Sequence, residues 1–149
     1  MRIFLAILLT LACGRISAQP ADEAAVQFQA VDIYVDVKEQ PLAAYQLEFA
    51  VTNLACAAKI VGIEGGESAA FSEPPFYDPK AMQHERVIIA AFSTNAVSSL
   101  PKGKTRVATI HLQTNGAAEP ECGLRLEVAA DSNGNRIPAE TSAEVRKAK

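Results

Sequence analysis

The chain has no tryptophan, only three tyrosines and six phenylalanines, two histidines and three cysteines in 149 residues. Each shortage excludes something. Without tryptophan and with so few aromatics, a flat aromatic strip for crystalline polysaccharide is not expected. His84 and His111 lie far apart, and no cysteine has a Cys or His partner at ligand spacing, so no metal site or other cofactor is expected. No G-x-S-x-G elbow accompanies the serines, and the reading is non-catalytic. Lys and Arg number 14 against 17 Asp and Glu, for a net charge of −3, which argues against a nucleic-acid partner. No stretch reaches the ~18 apolar residues of a transmembrane helix.

What is present begins with a leader pattern. Met1-Arg2 is positive, Ile3–Ala12 is apolar but for Thr10, and Ile16-Ser17-Ala18 offers a small-residue cleavage site. Residues 1–18 therefore read as a signal peptide and 19–25 as a loose leader. Thr10-Leu11-Ala12-Cys13 gives a second reading, a lipobox with a lipid anchor on Cys13. Either way the expected location is secreted, periplasmic or cell-surface. Cleavage after Ala18 leaves Cys56 and Cys122, a candidate disulfide in an exported chain, with two separate buried thiols as the alternative.

From there the pattern is of short strands. Val31, Ile33, Val35 and Val37 alternate with polar residues, as do Tyr45, Leu47, Phe49 and Val51. Period two places one set inward and the other outward. Lys59–Ile63 is β-branched and ends at Gly65-Gly66. Pro74, Pro75 and Pro79 exclude a central strand from residues 67–85, where Phe71, Phe76 and Tyr77 are expected to pin the loop to the core. Arg86–Phe92 is apolar at nearly every position and reads as a strand buried on both faces. Ala108, Ile110 and Leu112, then Leu124, Leu126 and Val128, continue the inward alternation, with Arg125 and Glu127 outward. A last strand is expected near Ala139–Val145, before a tail at 146–149. Eight or nine strands with turns about every ten residues are the signature of an all-β sandwich. Asp131-Ser132-Asn133-Gly134-Asn135 starts like a calcium loop but lacks the later glycine and glutamate, so it reads as an Asn-Gly turn.

Five segments resemble, in order, the strands of bacterial cohesin domains. Pro41–Phe49 is similar to a "PLAGYQF" strand, and Lys59–Gly66 and Arg86–Ser93 to the strands after it. Gly103–Ile110 is similar to a "G-x-L-A-T-I" strand, and Asp131–Pro138 to a "D-x-x-G-N-x-I-P" turn. Val51–Cys56 departs from the family, replacing its "Y-D-P-x-x-L" turn. The resemblance implies a nine-stranded, cohesin-like jelly-roll sandwich over residues 26–145, shared with related carbohydrate-binding modules. It also implies that Cys56 and Cys122 flank neighbouring strand ends, where a bridge is feasible.

Two functions follow from the resemblance. One is docking of a dockerin-like or other protein partner on a sheet face carrying Ala44, Gln46, Glu48, Arg125 and Glu127. No apolar anchor for that face is legible. The other is carbohydrate binding, in polysaccharide binding or degradation, with Tyr34 on the polar side of its strand and Tyr77 in the loop as the stacking rings.

Overall fold

The structure, a computed structural model, describes residues 25–146 apart from 54 and 117. The expected leader 1–18, most of 19–25 and the lipobox cysteine Cys13 lie outside the described residues. Eight strands follow one another among the described residues: β1 (Val26–Asp36), β2 (Ala44–Val51), β3 (Ala57–Gly65), β4 (Phe76–Tyr77), β5 (Arg86–Phe92), β6 (Lys104–Asn115), β7 (Cys122–Ala130) and β8 (Glu140–Arg146). They form two four-stranded antiparallel sheets, in the orders β3-β6-β1-β8 and β4-β5-β2-β7. The count is eight where nine was expected, and β8 takes in Arg146, which the sequence assigned to the tail. No helix of the described residues is long and apolar enough to cross a membrane.

Alternation builds the core. Val31, Ile33 and Val35 of β1, Tyr45, Leu47 and Phe49 of β2, and Ile110 and Leu112 of β6 are buried between the sheets. A strand turns successive side chains to opposite faces, so burial of these sets fixes which residues face solvent. At about 25 cal/mol per Å² of apolar surface, each large side chain contributes roughly 1.5–3 kcal/mol.

Two irregularities adjust this pattern. The β1–β6 register slips between Ile33 and Tyr34, which leaves Val107 of β6 without an opposite residue on β1. Val107 and Ala108 are consequently both buried. The Val107 carbonyl accepts a 3.1 Å hydrogen bond from the Tyr45 hydroxyl, which ties the second sheet to the first through the core. Burial pushes the Tyr45 hydroxyl well above the ordinary phenol range, so it stays a donor at any physiological pH. Its ring meets Phe71 edge-on at 5.3 Å, so Phe71 does pin the 67–85 loop. The second slip lies between Gln46 and Leu47, where β2 meets β7. Gln46 pairs with Val128 and Leu47 with Leu126, so Glu127 is the extra residue. The expected inward row therefore ends at Leu126, and Val128 lies opposite outward Gln46.

The other turns are locally determined. β3 ends where Gly66 passes against β6: a Cβ there would lie 2.2 Å from the Arg106 carbonyl oxygen. The Asp131 carboxylate accepts 2.9 Å bonds from the Asn133 and Asn135 amides and a 3.1 Å bond from the Asn135 side chain. Gly134 follows at φ 81°, so the segment is a self-contained turn.

Removing the Tyr45 hydroxyl removes a buried hydrogen bond, a net cost of about 0.5–1.5 kcal/mol. Tyr45→Phe is expected to lower unfolding free energy by that amount in urea titration, with an unchanged m-value.

Candidate functional site

The outer face of the β4-β5-β2-β7 sheet is built by the same alternation. Burial of Val87 and Ile89 on β5 turns Arg86, Ile88 and Phe92 to solvent. This corrects the expectation of a strand buried on both faces. Charged Arg86 opens the outward set, and its parity with Ile88 and Phe92 was the available sequence signal. On β2 the outward positions are Ala44, Gln46 and Glu48. The ladder sets Phe92 opposite Ala44, Ala90 opposite Gln46 and Ile88 opposite Glu48.

Phe76 completes the face. It pairs with Ala90 from the two-residue edge strand β4. Expected to pin the loop, it is instead 70% exposed, because Tyr77, its neighbour on the opposite side of the strand, takes the place against the core. Phe92 is 64% exposed, and the two rings stack with centroids 6.2 Å apart and planes 10° from parallel. Small residues beside them leave depressions. One of about 240 Å³ lies among Ala44, Gln46, Phe76, Ala90, Phe92 and Val128. A larger one, about 460 Å³, runs beside Phe76 to Asp78, Arg86 and Ile88.

The polar flank is an ion-pair cluster centred on Glu48. Its carboxylate accepts hydrogen bonds from Arg86 of β5 and, at 3.2 Å, from Arg125 of β7. Arg125 also reaches Glu127 at 2.9 Å. The Arg86 hydrogen bond holds the Glu48 carboxyl below the usual carboxylate range; partial desolvation opposes it, and Arg125 adds to it. All five residues expected on a docking face thus lie on this sheet. Glu48, Arg125 and Glu127 form the cluster, while Ala44 and Gln46 border the smaller depression. Sequence reasoning missed the apolar half: Phe76, Ile88, Phe92 and Val128.

Tyr34 and Tyr77 are not brought together. Tyr34 lies on β1 in the other sheet, with the Lys104 ammonium 4.5 Å from its ring centre, and Tyr77 is half-buried on β4. The two rings cannot form one stacking platform. Around Tyr34 the opposite face is a compensated polar network. Desolvation works against the Asp32 carboxylate, yet hydrogen bonds from Arg146 and Thr109 outweigh it and lower its pKa. His111 stands 3.1 Å from Glu64 on the same face. Among the described residues no group of three or more His, Cys, Asp or Glu is placed to hold a metal ion.

Cys56 and Cys122 are free thiols, which corrects the expected bridge. Cys122 opens β7 opposite Val51, and Cys56 is buried at the end of the turn after β2. Burial, reinforced by the neighbouring Cys56 sulfur, pushes the Cys122 thiol up to about 11. A raised pKa depletes the thiolate that disulfide exchange requires.

Compared with known proteins, the chain has no match among family models, curated proteins or solved structures.

Two outcomes are expected here. A carboxylate whose folded pKa is depressed stabilises the fold above its unfolded pKa, and that stability is lost as pH falls through the folded value. Glu48→Gln should therefore be less stable than the parent at pH 7, and the gap should be smaller at pH 3. Chemical denaturation at both pH values measures it. In a Cys13→Ser, Cys56→Ala variant, Cys122 should react with iodoacetamide at pH 8 about a hundredfold more slowly folded than unfolded, the rate rising with pH towards about 11. Equal rates in the two states would place that thiol in solvent.

Proposed function

We propose that the chain is a non-catalytic, exported protein-binding module of cohesin-like type, which docks a protein partner on the outer face of the β4-β5-β2-β7 sheet. The observation that carries this is the stacked Phe76–Phe92 pair, exposed at the β4–β5 side of a sheet face. An exposed cluster of large apolar side chains is informative where a single one is not. Covering one such ring is worth roughly 1.5–3 kcal/mol, the scale of an interface anchor. Ile88 and Val128 extend the apolar ground, and the Glu48 cluster supplies a polar rim.

The winding supports the same reading. The ladders join β1 with β8 and β6, β2 with β7 and β5, β3 with β6 and β4 with β5, and the nested pairs among them support a jelly-roll winding. The leader pattern of residues 1–18 supports export, which would put the face in contact with envelope or secreted proteins.

A carbohydrate-binding role has less support. Tyr34 and Tyr77 are on separate sheets, and the two exposed phenylalanine rings stack on one another, which reduces the free ring area for a sugar.

The test is a paired capture from envelope and secreted fractions with the immobilised chain and with its Phe76→Ser, Phe92→Ser variant. Both residues are exposed, so the melting temperature should hardly move. A protein kept by the parent and lost by the variant is the expected result. Equal retention on both would remove this face from the binding function.

A further inference from the structure

Within the ion-pair cluster of the docking face the two arginines are the more exposed partners. Arg86 and Arg125 are 56% and 65% exposed, whereas Glu48 beneath them is 17% exposed and Glu127 is 35%. The ion pairs of both arginines run through Nη2 alone. A guanidinium carries five donors in a planar fork, so each keeps Nε and Nη1 for a ligand. Glu48 thus orients two guanidiniums across three adjacent strands, roughly 10 Å from β5 to β7, while its own charge lies under them. A group approaching the sheet here meets N–H donors before it meets carboxylate. The chain is acidic, at −3 overall, whereas the two arginines here balance the two glutamates, so the patch is less acidic than the rest of the protein.

The apolar ground begins one outward position away. Along β5 the outward residues are Arg86, Ile88, Ala90 and Phe92, spaced about 6.8 Å apart over about 20 Å. Small Ala90 and Ala44 leave relief beside Phe76, where a single aliphatic or aromatic side chain could seat.

We infer that the partner segment this face takes is acidic and apolar in order: a carboxylate placed over Arg86 and Arg125, and a large apolar side chain about 7–20 Å further along, seated between Phe76 and Ile88. The inference rests on the docking reading above and specifies the chemistry of its partner. The apolar contact supplies most of the affinity. The arginines select the partner and speed its encounter, because exposed ion pairs contribute little energy but steer association.

The probe is a random dodecapeptide library displayed on phage, panned against the purified chain. Enriched peptides are then synthesised and titrated by calorimetry. The expected peptides carry Asp or Glu two to six residues from Leu, Ile or Phe. Their affinity should fall about tenfold in Arg86→Gln, Arg125→Gln, and should weaken as salt rises from about 20 mM to about 0.5 M. It should be lost in Phe76→Ser, Phe92→Ser. Thermal melts of each variant separate lost binding from lost fold. The charge-reversed Arg86→Glu, Arg125→Glu chain should enrich Lys or Arg instead.

Enriched peptides without acidic residues that still depend on Phe76 and Phe92 would overturn the acidic partner and leave the docking face standing. Peptides indifferent to both sets of variants would overturn both. Failure to enrich any peptide, or concentration-dependent self-association in sedimentation that is lost in Phe76→Ser, Phe92→Ser, would also overturn the inference, the latter assigning the face to a second copy of this chain.

Discussion

The burial of Tyr45, Leu47 and Phe49 on β2 is the constraint from which the rest of the molecule follows. β2 is an inner strand of its sheet, flanked by β5 and β7. Its inward set fills the core, and Tyr45 reaches across it to the Val107 carbonyl. Its outward set, Ala44, Gln46 and Glu48, is then fixed without freedom, since a one-residue slip would exchange the two faces. The neighbouring strands inherit the choice through the ladder. Ile88 lies beside Glu48, Ala90 beside Gln46, and Phe92 beside Ala44 because β5 pairs in that register. A core requirement thus assembles the outer face.

Electrostatics on that face follows from the same placement. A central carboxylate between two arginines on flanking strands is a cross-strand triad, and Glu48 stays ionised because Arg86 hydrogen-bonds to it. The opposite sheet carries an ion-pair network of its own. There Asp32 is enclosed by Thr109, Arg106 and Arg146, and Lys104 lies over the Tyr34 ring. That face has no stacked exposed aromatic pair among the described residues, which is why the docking role is placed on the other.

Much of this was legible in the residues, and the failures have physical causes. Period-two alternation gave the inward rows of β1, β2 and β6 and the outward positions of Gln46 and Glu48. It failed at Val128 because the β-bulge between Gln46 and Leu47 changes the parity of β7, and a bulge leaves no compositional mark. It failed on β5 because an apolar run reads as buried on both faces, although one of its faces is open. Phe76 was misplaced because two adjacent aromatics in a proline-rich loop do not reveal which one turns inward; the two-residue pairing of β4 with β5 decides it. The cysteines are both free thiols, which follows from side-chain placement that spacing cannot show.

The central claim is that binding happens on the β4-β5-β2-β7 face, around Phe76 and Phe92. Nuclear magnetic resonance shift mapping on the isotope-labelled chain, titrated with a selected peptide, tests it most directly. The account predicts that the largest shifts fall on Phe76, Ile88, Ala90, Phe92, Gln46 and the side chains of Arg86 and Arg125. Shifts concentrated instead around Tyr34, Asp32 and His111, on the opposite sheet, would contradict it.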